Sequence, residues 1–181
     1  MRARGPVAWL VLLALAGCRP GPAGAGAPPS PASLEAVAAA RLDSARNDPA
    51  RLLLILRAMP KGGDLHNHLS GTVYAESYLA WAADDSLCVV TATLSLARPP
   101  CDPAAGRTTA VAAERNPALR GQLIDAWSIR NWNPARVSGH DQFFATFGRF
   151  GAATDGRTGD MLAEVAARAA AEHVSYLELM L

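Results

Sequence analysis

The sequence predicts an α/β fold built on a parallel sheet. Three observations carry that expectation. "KGGDLHNHL", Lys61 to Leu69, reads as a short strand entered through glycines. Several segments of helical period follow it. "VSYLELML", Val174 to Leu181, then closes the chain as an apolar strand. Strands that alternate with helices argue for parallel pairing. A parallel strand needs neighbours on both sides, and about two good strands are on offer, so the sequence looks truncated.

The elements follow in order. "MRARGPVAWLVLLALAGC" has Arg2 and Arg4, an apolar run from Val7 to Ala16, and a small-residue exit at Cys18. That is an export signal, too short to span a bilayer comfortably. Leu15-Ala16-Gly17-Cys18 resembles the bacterial lipobox, which implies lipidation of Cys18. The alternative is an ordinary signal peptide with an incidental cysteine. Arg19 follows rather than an aspartate. The expectation is a protein anchored by lipid in the bacterial cell envelope, at the outer membrane. Residues 19–33, "RPGPAGAGAPPSPAS", read as an extended tether.

From residue 34 a folded domain is expected to run to 181. Ser33 is placed to cap "SLEAVAAARLDSAR". Asp48 caps "DPARLLLILRAM", with Pro49 at its first helical position. "YAESYLAWAAD" is helical. Residues 87–115 form an insert with a strand at "LCVVTATL" and the cysteines Cys88 and Cys101. Outside the cytoplasm, two cysteines close in sequence suggest a disulfide; the alternative is two free buried thiols. Neither lies in a C-x-x-C pair, which argues against a metal role. "NPALRGQLIDAW", "HDQFFATFGRFGAA" and "TGDMLAEVAARAAAEH" complete the helices, the last with Met161, Leu162, Val165 and Ala169 on its buried face.

Composition narrows the function. The 181 residues amount to one ordinary domain, or the front part of a larger one. With 17 basic and 16 acidic residues, net charge is +1, which offers no electrostatic footprint for nucleic acid. Lys61 is the single lysine, which we attribute to genomic base bias.

Chemistry concentrates in "MPKGGDLHNHLSG". In a strand, residues i and i+2 face the same way. His66 and His68 are thus expected side by side, with Asn67 turned away. Two neutral imidazoles make half of a divalent-metal site, and a catalytic zinc needs a third protein ligand plus an open position.

This stretch resembles the first-strand signature of the adenosine deaminase family: a proline-lysine turn, a leucine, H-x-H, a leucine and a nearby glycine. The likeness extends through "YAESYLAWA", the insert, "QFFATFGRF" and "VSYLELML", and the insert is most like that of the secreted, growth-factor-type members. The resemblance implies the N-terminal part of a (β/α)8 TIM barrel, cut after its second strand. It implies Zn2+ held by His66 and His68. It also implies hydrolytic deamination of adenosine or a related purine nucleoside to inosine and ammonia. Substrate contacts carried over are Ser70, Gly71, Phe143 and Phe147; plain core packing is the alternative for the two phenylalanines. Ser70 stands where cytosolic members hold ribose with an aspartate, and serine brings no charge.

The family's third histidine ligand, proton-shuttling glutamate, later histidine and aspartate ligand come from later strands. This chain by itself is therefore expected to be inactive. Competing readings are another metal-dependent barrel amidohydrolase, or a non-catalytic envelope lipoprotein that binds a partner through its insert. His140 and His173 are expected to be structural, at a helix start and a helix end. Asp64 is placed either to orient an imidazole or to close a turn, Glu178 to support the site or pair with a neighbouring base, and Trp127 and Trp132 to pack against the insert.

Overall fold

A computed structural model describes residues 30–181, which divide between Pro49 and Ala50 into two units. The export signal, Cys18 and most of the tether lie outside the described residues. In the first unit, helix α1 spans Pro31–Ala45. Ser30 caps it, accepting from the Ser33 backbone N–H, and Pro31 takes the first turn, where a missing N–H costs nothing. The cap thus falls three residues before the expected Ser33.

Helix α2 (Pro49–Ala58) comes next and buries none of its residues, although half of them are leucine or isoleucine. Pro60 ends it. The Lys61 ammonium turns back to donate to the Leu56 and Met59 carbonyls at 2.8 and 3.0 Å. The chain's single lysine is therefore a C-terminal helix cap, placed where a cation favours the helix dipole.

Strand β1 (Lys61–His68) follows, then the short helix α3 (Leu69–Thr72) and helix α4 (Ala75–Asp84). Residues 88–109 form an antiparallel sheet of three strands, β2 (Cys88–Val90), β3 (Ser95–Ala97) and β4 (Arg107–Thr109), with β2 central. A Cys88–Cys101 disulfide staples it. Helices α5 (Ala110–Arg115), α6 (Pro117–Ala126), α7 (Gly139–Phe150) and α8 (Thr158–Ala171) come next, and β5 (Val174–Met180) closes the order. Asn116 caps α6 through two backbone N–H groups, and Ser138 caps α7.

The barrel expectation is wrong. Among the described residues there are eight α-helices and five short strands in two small sheets. Only β1 and β5 pair in parallel; the other three strands are antiparallel. A barrel start needs one continuous parallel sheet with simple crossovers. Here the connection from β1 to β5 contains most of the domain, including a sheet of its own. "LCVVTATL" is not one strand either. It breaks after Val90, turns through Leu94 at φ +53°, and returns as β3.

The core forms where α4, α5, α6 and α8 meet the antiparallel sheet. Tyr78, Leu79, Val89, Leu123, Ile124 and Val165 are buried there. Tyr78 stacks on Phe150 at 4.4 Å, and its hydroxyl donates to the Ser70 carbonyl at 2.8 Å. Burial, reinforced by the charge of Glu164, pushes the Tyr78 phenol well above its ordinary range. Leu162 was expected on the buried face of α8 but is exposed, while Met161 and Val165 are buried.

Candidate functional site

Strand β1 does not follow a plain ladder. Its register against β5 runs Lys61 to Val174, Gly63 to Tyr176 and Asp64 to Leu177, then Asn67 to Leu179 and His68 to Met180. Three steps on β1 match two on β5, so an extra residue sits between Asp64 and Asn67, as in a β-bulge. Burial along the strand accordingly recurs at Lys61, Asp64 and Asn67, every third residue. After the bulge, alternation resumes. His66 and His68 are exposed on one side, and Asn67 is half-buried on the other.

The two imidazole centres lie 5.1 Å apart with their planes at 69°. A tetrahedral zinc about 2.0–2.1 Å from one nitrogen of each ring places the ring centres about 5 Å apart. The spacing of the ring centres matches that of two imidazoles on one divalent ion. Among the described residues, no group of three or more His, Cys, Asp or Glu side chains is placed to hold a metal. What the structure shows is two exposed imidazoles side by side.

Behind the histidines is a run of hydrogen bonds. The Asn67 amide donates to Asp64 Oδ2 at 2.6 Å, and the His66 backbone N–H reaches Asp64 Oδ1 at 3.4 Å. The Thr72 hydroxyl directs its one proton between the Asn67 side-chain oxygen and the His68 carbonyl. Asp64 therefore bonds the backbone of His66 and the amide of Asn67, not an imidazole.

The four substrate-binding candidates separate. Gly71 and Phe143 line a cleft of about 580 Å³, together with Tyr74, Glu76, Ile124, Trp127 and Arg130. Phe147 lies behind Gly71: a Cβ added there would meet Phe147 Cζ at 3.0 Å. A side chain at position 71 would press on that ring, and glycine avoids the contact. Ser70 points to a different, smaller recess, beside Met161 and Met180. The histidines do not line the cleft, but Gly71 is only three residues along the chain from His68, a span of at most about 11 Å.

The cleft has fixed walls. Trp127 Nε1 donates to the Leu94 carbonyl at 2.6 Å, which ties it to the antiparallel sheet. Arg130 is held by Asp125 at 2.6 Å and by the Gly121 carbonyl at 2.8 Å. Burial alone would raise the Asp125 carboxyl; hydrogen bonds from Arg130 and Asn131 outweigh it and hold it low. This cleft was not legible in the sequence, because α6, the loop after it and α7 meet the turn after β1 only in three dimensions.

The remaining candidates lie elsewhere. His140 is exposed at the start of α7, 3.2 Å from Asp141. His173 adopts φ +62° just beyond α8, and its carbonyl accepts from the Lys61 N–H at 2.8 Å. Glu178 accepts from the Tyr176 hydroxyl at 2.8 Å. Trp132 donates to the Val137 carbonyl at 2.9 Å, within its own loop. Neither a family profile, a curated protein nor a solved structure matches this chain.

Proposed function

We propose that this chain belongs to a metal-dependent hydrolase, with His66 and His68 supplying two of the zinc ligands for deamination of adenosine or a related purine nucleoside. The observation that carries the reading is the pair of exposed imidazoles 5.1 Å apart on one side of β1. The "PKGGDLHNHLSG" likeness to adenosine deaminases supplies the reaction; a barrel forms no part of it.

Zinc held there supplies Lewis acidity and lowers the pKa of its water towards neutrality. The chain's own part is positional. His66 and His68 present two donors from a short strand whose back is fastened by side chains. The adjacent cleft, walled by Phe143 and Trp127, has the volume and the apolar and aromatic lining of a small-molecule site. A planar purine would stack there, with Glu76 and Arg130 as the charged groups at hand for its polar edge.

The test joins the two parts. Trp127 lines the cleft, so a bound nucleoside should change tryptophan emission. With Zn2+ present, saturable quenching by adenosine that is lost in Phe143→Ala supports a nucleoside site. Equal, non-saturating responses to adenosine and to a sugar without a base would refute it.

A further inference from the structure

We infer that Asn67 and Thr72 are positioning residues for the histidine pair, a role that rests on the metal-site reading above. The bulge between Asp64 and Asn67 breaks register with β5 where the first histidine is held. The main-chain ladder therefore cannot by itself fix the relation of His66 to His68. A side-chain clasp does so instead.

The clasp touches the backbone of both histidines. Asp64 accepts from the His66 N–H and from the Asn67 amide. Thr72 shares its one hydroxyl proton between the Asn67 side-chain oxygen and the His68 carbonyl, the latter at 3.1 Å. Thr72 is anchored in turn, since its carbonyl accepts from the Arg168 guanidinium of α8. That guanidinium also bonds Glu164 at 3.3 Å and lies 4.1 Å over the Tyr74 ring. The Tyr74 N–H donates to the same Glu164 oxygen at 2.9 Å. One end of the chain of contacts thus holds the imidazole-bearing strand, and the other holds the wall of the cleft at Tyr74.

Asn67 suits this place chemically. Its amide donates to a carboxylate while its oxygen accepts from a hydroxyl, so both ends are used. Leucine or valine at that position would bury equally well and hold nothing. Partners that orient ligands from behind typically change metal affinity by about 10- to 100-fold when removed.

The test measures zinc affinity by competition with a chromogenic chelator. Thr72→Val keeps the shape and removes the hydroxyl; Thr72→Ser keeps the hydroxyl. The expected result is roughly tenfold weaker zinc binding in Thr72→Val and wild-type affinity in Thr72→Ser. Asn67→Ala, which removes both of its bonds, should show the same loss at a temperature where its circular dichroism matches wild type. Wild-type affinity in Thr72→Val and Asn67→Ala overturns the positioning role while leaving the metal site standing. No zinc binding by the wild type overturns the metal reading itself, and the positioning role with it.

Discussion

Gly71 and Phe147 meet closely enough that a Cβ at position 71 would stand 3.0 Å from Phe147 Cζ, so the ring would have to give by a few tenths of an ångström. The contact sets the turn after β1 against α7, beside the cleft that Gly71 and Phe143 line. Phe147 has little room to yield, because its ring packs at 5.0 Å on Phe143 and 5.5 Å on Phe150.

Gly71→Ala should therefore destabilise the domain by about 1–3 kcal/mol, the usual cost of overpacking. Urea unfolding of Gly71→Ala and of Gly71→Ala with Phe147→Leu measures it. The double variant should recover part of the loss, since the smaller side chain makes room.

The Cys88–Cys101 bridge joins residues 13 positions apart. On the chain-entropy account, such a closure contributes about 3 kcal/mol. Cys88→Ala with Cys101→Ala should lower the unfolding free energy by about that amount. Near-ultraviolet dichroism from Trp127, tied to this sheet through Leu94, should weaken first on heating.

Asp85 and Arg157 join the end of α4 to the start of α8 through two hydrogen bonds, at 2.6 and 3.1 Å. The Arg157 hydrogen bond holds the Asp85 carboxyl below its ordinary value. A depressed carboxyl contributes stability above its unfolded pKa of about 3.9 and loses it as pH falls through the folded value. Asp85→Asn should flatten the acid side of a Tm-against-pH curve below about pH 4, with a smaller Tm at neutral pH.

Much of the helical content was legible, because local chemistry fixes it. Pro49, Pro117 and the Asn116 cap begin helices where the sequence says they should. The adjacency of His66 and His68 was legible as well, although a bulge between Asp64 and Asn67 interrupts the plain alternation from which it was expected. Three things were not. The hairpin at residues 91–94 turns on Leu94 in a left-handed conformation, without the Gly or Asn that usually announces such a turn. The bulge in β1 has no residue that demands it. And α2, half leucine and isoleucine, exposes Leu53, Leu54 and Leu56, because composition reports what can be buried, not what covers it. The barrel expectation failed for a related reason: a likeness in one strand carries no information about how the following segments pair.

The most direct test of the metal half-site is nitrogen-resolved NMR of the imidazole rings during a Zn2+ titration, with all four histidines in view. The predicted result is that the His66 and His68 ring nitrogens shift together and saturate at one ion per chain, while His140 and His173 stay in place. Zinc-induced shifts at neither ring of the pair, or equal shifts at all four histidines, would contradict it.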